Sequence, residues 1–170
     1  MPPTILTVDD EPDVVELIRF HLTHAGCEVL TATSGRAALE TIRAHRPDLV
    51  LLDLMLPDID GFGVCEILRR QPATATLPII IVSAWSTLDS RNLGLELGAL
   101  DYLTKPFSPK TLVERVQRLL SQRPAGRKNP PAAAPAPSPT PTTSIVAPAS
   151  TAAPVNGQPV SVDKPSSARG

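Results

Sequence analysis

Apolar residues change period repeatedly along most of this chain, and each change predicts an element. Thr4–Val8 is a short apolar run. Val14, Leu17, Ile18, Leu22 and Ala25 then recur at three- and four-residue steps, which predicts a helix over residues 10–25. Pro12 fits its first turn, where a missing N–H costs nothing, and Gly26 closes it. Residues 27–32 read as a second strand. Ser34 is placed to cap a helix running to about His45, and Pro47 breaks it. Residues 48–53 form a third strand, apolar on both faces as a buried parallel strand must be. Pro57, Asp58, Asp60 and Gly61 make a turn before a helix over residues 62–70, with the two acids acting as turn formers rather than metal ligands. Pro78 introduces a strand at Ile79–Ser83. Residues 87–98 are a weaker helix, because Gly94 inside it costs roughly 1 kcal/mol relative to Ala. Residues 100–105 are the fifth strand. Ser108 then caps a last helix with Pro109 at its first position and Leu112, Val113, Val116, Leu119 and Leu120 on one face.

Five strands alternating with five helices predict an α/β domain with a parallel sheet, right-handed crossovers and helices on both faces. Periodicity alone does not fix the strand order. The flavodoxin-like doubly wound order 2-1-3-4-5, a known topology, would set strands one and three side by side at the switch point.

The pattern stops near residue 123, and composition changes with it. Residues 124–170 hold 11 prolines in 47 residues, no aromatic, and mostly Ala, Ser and Thr otherwise. Such a segment cannot bury enough apolar surface to offset the entropy of ordering it, so it reads as a disordered, partly polyproline-II tail. The domains expected are therefore 1–123 and 124–170, with no output domain in the tail. The first carries 16 acidic and 12 basic groups, a net of −4, and the second one acid and four bases. No basic stripe interleaved with aromatics occurs, so no nucleic-acid partner is expected. No signal sequence or membrane span is evident. Cys27 and Cys65 lack metal-clip spacing and read as free thiols, and the cytoplasm is the expected compartment.

The candidate chemistry lies at strand ends. Asp9 and Asp10 follow the first strand, and Asp53 ends the third. If those strands are neighbours, all three carboxylates meet at the edge where open α/β sheets bind ligands. Two unit charges about 4 Å apart repel by roughly 4 kcal/mol at an effective dielectric near 20, so a counter-ion is needed. Oxygen-only donors suit a hard divalent cation such as Mg2+. Lys105, ending the fifth strand, adds a positive charge. Metal, carboxylate and lysine together suit a phosphoryl group. His21 and His24, three apart, lack a third ligand and read as exposed surface, as does His45.

Four pieces in order carry a family resemblance: Val8-Asp9-Asp10-Glu11; residues 47–57 with Asp53 inside; Ser83-Ala84; and residues 98–107, which include Asp101-Tyr102-Leu103-Thr104-Lys105-Pro106-Phe107. The chain resembles the receiver domains of bacterial response regulators, CheY-like in type, from residue 4 to about 121. The resemblance implies a stand-alone (βα)5 phosphorelay switch rather than an enzyme in the usual sense. Asp53 would accept a phosphoryl group from the phosphohistidine of a sensor histidine kinase or histidine phosphotransfer protein. Asp10, Asp53 and the backbone carbonyl of Met55 would hold Mg2+, with Asp9 acting mainly through water. Lys105 and Ser83 would each contact a phosphoryl oxygen, Tyr102 would swing inward as Ser83 moves, and Lys105–Pro106 would be cis. The downstream target would be a protein.

The face made by the fourth helix, fifth strand and fifth helix resembles that of receivers that dimerise there, through Asp89, Arg91, Leu95, Asp101 and Arg115. Leu100 and Thr111 replace charged residues usual in that pattern, so a partner for Arg91 is expected to be missing. Trp85, two residues past Ser83, is bulky for its position and is expected with Met55 to obstruct a hydrolytic water. A haloacid-dehalogenase-type phosphatase fails because Met55 stands where its second Asp is needed. A dinucleotide site fails for want of a Gly-x-Gly-x-x-Gly after strand one. Two alternatives remain: a phosphorylation-independent docking module, and a receiver fragment of a longer hybrid protein.

Overall fold

The short apolar runs become one parallel sheet because each is flanked on both faces by an amphipathic helix. The computed structural model describes residues 1–122. Ten elements alternate: β1 (Thr4–Val8), α1 (Pro12–His24), β2 (Glu28–Ala32), α2 (Gly35–His45), β3 (Leu49–Leu52), α3 (Gly61–Arg70), β4 (Ile79–Ser83), α4 (Leu88–Glu96), β5 (Asp101–Thr104) and α5 (Pro109–Ser121). The sheet order is β2-β1-β3-β4-β5, the expected flavodoxin-like order. The predicted boundary at residue 123 and the tail 124–170 lie outside the described residues. Among the described residues, no helix is long and apolar enough to cross a membrane.

Successive residues of a strand point to opposite faces, and the core divides accordingly. Leu6, Val8, Val50, Leu52, Ile79 and Ile81 pack with Ala38, Leu39 and Ile42 of α2 and Val64, Cys65 and Leu68 of α3. Ile5, Leu49, Leu51, Ile80 and Val82 pack instead with Ile18 and Leu22 of α1 and Leu112, Val116 and Leu119 of α5. The central strands are apolar on both faces because both faces are covered. Cys27 and Cys65 are buried free thiols as expected, and burial pushes the Cys65 thiol up to about 11.

Most predicted bounds move by a residue or two, chiefly because residues read as helix or strand act as caps or site loops. Thr87 caps α4 rather than opening it, and Asp60 caps α3, accepting from Gly63 N at 2.8 Å. Residues 10 and 11 precede α1 instead of joining it, with Glu11 at its N-cap but no side-chain cap bond. Ser34 caps α2 as predicted, accepting from Ala37 N at 3.2 Å. Ser108 is corrected: it occupies the N-cap of α5, but its hydroxyl makes no cap bond. The fixed φ of Pro109, ready-made for a first helical position, defines that start instead.

α4 differs from the other helices. Gly94 is its only buried residue, while Leu88, Leu93 and Leu95 are exposed. A Cβ on Gly94 would lie 2.5 Å from Ile81 Cδ1 and 3.4 Å from the Tyr102 ring, so the glycine permits close approach to the sheet.

Arg69 ties three segments together. Its guanidinium donates to the carbonyls of Thr74 (3.2 Å), Ala75 (3.0 Å) and Gly98 (2.7 Å). Hydrogen bonds from a charged group contribute roughly 1.5–3 kcal/mol each, and a buried carbonyl stripped of its donor is costly. Arg69→Met should therefore destabilise the domain by about 3 kcal/mol. Urea unfolding followed by circular dichroism should show a lower midpoint with an unchanged slope. Arg69→Lys should recover only part of the loss, since an ammonium cannot reproduce the planar fork.

Candidate functional site

Strand register builds the site. β1 and β3 are parallel neighbours with Val8 opposite Leu52, so Asp9 and Asp53 leave the sheet side by side. Asp53 N donates to Val8 O at 2.9 Å, and Asp9 N to Ala32 O at 3.1 Å. Both side chains are almost fully buried, at 2% and 3% exposure, while Asp10 faces solvent. One carboxylate oxygen from each of Asp9, Asp10 and Asp53 lies within 4.8 Å of the others. Among the described residues, this is the only group of His, Cys, Asp and Glu able to share a metal ion.

Lys105 reaches in from the end of β5, where its N–H donates to Ser83 O at 2.9 Å and its bond to Pro106 is cis as expected. Its Nζ lies 2.7 Å from Asp9 Oδ2, 3.0 Å from Asp53 Oδ2 and 2.9 Å from Glu11 Oε1. The other oxygen of each buried carboxylate takes a backbone donor: Glu11 N to Asp9 Oδ1 at 3.0 Å, and Met55 N to Asp53 Oδ1 at 3.2 Å. Both aspartates are thus held in fixed rotamers.

Charge remains unbalanced. Lys105 alone faces three carboxylates, with Asp10 beside them. Burial pushes the Asp9 carboxyl above its ordinary value, although hydrogen bonds from Lys105 and the Glu11 amide pull the other way. Burial also works against the Lys105 charge, but its bonds to Asp9, Glu11 and Asp53 prevail and hold the ammonium above its ordinary value. A cluster of oxygen donors carrying excess negative charge, one of them open to solvent, fits a hard divalent cation.

The structure brings Ser83 and Tyr102 to the same edge. Ser83 is fully buried at the end of β4, and Trp85 N donates to its Oγ at 3.4 Å. The Tyr102 ring points inward, 2% exposed, with its hydroxyl donating to Trp85 O at 2.6 Å. The reasons are local: Gly94 leaves room for the ring, and a buried phenol requires an acceptor. Burial raises the Tyr102 phenol, with a hydrogen bond to Ser83 working against it. Trp85 and Met55 are exposed, and Trp85 lies near the Phe62 ring at 6.2 Å between centroids.

Other sequence candidates divide. His24 and His45 are exposed, and His24 Nδ1 lies 2.8 Å from Phe20 O. Asp101 pairs within the chain with Arg115 and Arg118. Arg91 has no ion pair among the described residues. Two roles escaped the sequence reading. Glu11 is a third partner of Lys105, a contact spanning 94 positions with no local signature. Asp58 receives the first two amides of α2, Gly35 N at 3.0 Å and Arg36 N at 3.2 Å; its place after a proline signalled only a turn.

Comparison with known proteins agrees with this geometry. Residues 5–117 match the family model described as the response regulator receiver domain. The chain is 44% identical over 120 residues to the alkaline phosphatase synthesis transcriptional regulatory protein PhoP of Bacillus subtilis, covering 71% of this chain and 49% of that protein. It is 41% identical over 118 residues to the DNA-binding dual master transcriptional regulator RpaA of Synechocystis, covering 69% and 49%. It thus spans about half the length of these curated relatives. The solved structure of the Vibrio cholerae chemotaxis protein CheY4 superposes with a TM-score of 0.66 at 31% identity, covering 70% of this chain and 99% of that one. The expectation of no nucleic-acid partner finds no support among relatives named as transcriptional regulators.

The raised Lys105 value means that its stabilising contribution is present below about pH 10.4 and is lost as pH rises through the folded value. Lys105→Met should leave Asp9 and Asp53 uncompensated and lower the melting temperature at neutral pH. Burial already raises the Asp9 carboxyl, and without the Lys105 bond that opposes it Asp9 would stand further above its unfolded value, so acid should favour the variant's folded form. The gap from wild type should narrow as the pH falls from neutral toward the carboxylate range, and also on adding Mg2+. Thermal melts across that range check both trends.

Proposed function

Since the chain belongs to the response regulator receiver domain family of two-component signalling, we propose that it works as a phosphorylation-dependent switch whose phosphoacceptor is Asp53. The observation that carries this reading is the Asp53 carboxylate itself. It is buried at the sheet edge, fixed by the Met55 amide and Lys105, and lies beside Asp9 and Asp10.

The donor is the phosphohistidine of a sensor histidine kinase or histidine phosphotransfer protein. An Asp53 oxygen supplies the electron pair of the new O–P bond. The P–N bond breaks, and its pair stays on the imidazole nitrogen, which takes up a proton. Asp9, Asp10, Asp53 and the Met55 carbonyl would hold Mg2+, which offsets the charge developing on the phosphoryl oxygens. Lys105 is well placed to follow that charge, because acylphosphate formation removes the negative charge that it now pairs on Asp53. Ser83 presents its hydroxyl to a second phosphoryl oxygen.

The output surface is the α4–β5–α5 face. Leu88, Leu93, Leu95 and Leu100 are exposed there beside Arg91, and the Asp101–Arg115–Arg118 cluster adds charge. A downstream protein, or a second copy forming a homodimer, would cover it on phosphorylation. The names of PhoP and RpaA support transcription as the process downstream. Two buried free thiols fit a reducing cytoplasm.

Incubation with Mg2+ and acetyl phosphate, or with a cognate phosphohistidine donor, should add the mass of one phosphoryl group by intact-mass spectrometry. The gain should vanish in Asp53→Ala and in EDTA. No gain from either donor would overturn the reading in favour of a docking module. Trp85→Ala should shorten the lifetime of the phosphorylated form, which wild type should hold for minutes or longer, by opening a path for water. An unchanged decay would remove Trp85 from the account.

A further inference from the structure

The segment joining β3 to α3 carries the Met55 carbonyl, and it is pinned from an unexpected direction. At one end Met55 N bonds Asp53 Oδ1; at the other, Gly61 N donates to Leu54 O at 3.1 Å and Asp60 caps α3. Between these pins stands Asp58, at φ 72°, a left-handed conformation uncommon outside glycine that Asp and Asn tolerate best. Its carboxylate accepts from its neighbour Ile59 N at 2.5 Å and from Gly35 N and Arg36 N of α2, 23 and 22 residues away. Ser34 takes the next amide of that helix, Ala37 N. The first turn of α2 is thus capped by two side chains from different parts of the chain. Gly35 seals the contact, because a Cβ there would collide with the Ile59 carbonyl oxygen. The bond from Ile59 N leads the causes that hold the Asp58 carboxyl below its ordinary value, so it stays ionised and attracted to the positive end of the helix.

We infer that Asp58 is a positioning residue for the metal and phosphoryl site, fixing the loop that presents the Met55 carbonyl by anchoring it on the N-terminus of α2. The inference rests on the proposed reading of Asp9, Asp10, Asp53 and the Met55 carbonyl as a Mg2+ site. α2 contributes no ligand, yet through Asp58 it becomes part of the support of that site. A cap serving only the helix would leave the metal indifferent to its loss.

The test separates these roles with two variants at the same helix end. Asp58→Gly keeps the left-handed backbone and removes both long-range bonds. Ser34→Ala removes a cap bond and the Ser34 contact with Asp58, but leaves the loop anchored through the Gly35 and Arg36 amides. Mg2+ affinity is measured on the full chain by isothermal titration calorimetry, with melting temperature in EDTA recorded alongside. Both variants should melt lower than wild type. Asp58→Gly alone should also bind Mg2+ about 10-fold more weakly, the lower end of what loss of an outer-shell partner costs. Asp58→Asn, with one acceptor oxygen left, should fall between and serves equally if the glycine variant does not fold. Wild-type Mg2+ affinity in the Asp58 variants would overturn the inference and leave the metal site standing. Absence of Mg2+ binding in wild type would overturn both.

Discussion

Everything at this sheet edge depends on one charge imbalance. The fold places two nearly dry carboxylates side by side, adds a third in solvent, and offers a single ammonium. The ammonium is enough to let the chain fold, since Lys105 pairs both buried aspartates and Glu11. It is not enough to make the cluster electrically satisfied, and burial, which already raises the Asp9 carboxyl, makes the remaining charge costlier. A site satisfied by its own lysine would have little use for a metal or a phosphoryl group. Under the proposed reading, an incoming cation lowers the energy of this one, and a phosphoryl group that takes over one carboxylate finds a cation waiting.

Register is what turns that imbalance into geometry. Parallel pairing of Val8 with Leu52 sets the next residues of two distant segments at the same height. Parallel pairing of Ser83 with Thr104 does likewise for the other half, so that Lys105 N bonds Ser83 O. No loop has to be held out over empty space to assemble the constellation. The Met55 carbonyl, in the longer β3–α3 connection, is where the molecule spends extra hydrogen bonds, through Asp53, Asp58 and Asp60.

Much of this was legible beforehand because it rests on local rules. Period changes located all ten elements, and double-faced apolarity marked β3 as a buried parallel strand. Strand order was not legible from period alone; it came from a known topology, and the roles expected of Ser83 and Tyr102 came from the family resemblance. Element ends were misjudged where a residue read into a strand belongs to the site instead, as Asp53 does through Lys105. Ser108 shows the reverse case, a residue of the right type in the right place whose hydroxyl makes no cap bond because the neighbouring proline already sets the backbone. Asp58 and Glu11 could not have been placed, since their partners lie 23 and 94 positions away and leave no periodic mark.

The thin anchoring of α4 has a consequence for how such a chain diversifies. Every other helix contributes several side chains to the core, so its sequence is constrained by packing. α4 is docked by the bare backbone at Gly94, and its leucines point outward. Almost any substitution on that outer face leaves the interior untouched. Lineages of this fold can therefore rewrite what α4 recognises at little structural risk, provided one glycine is kept.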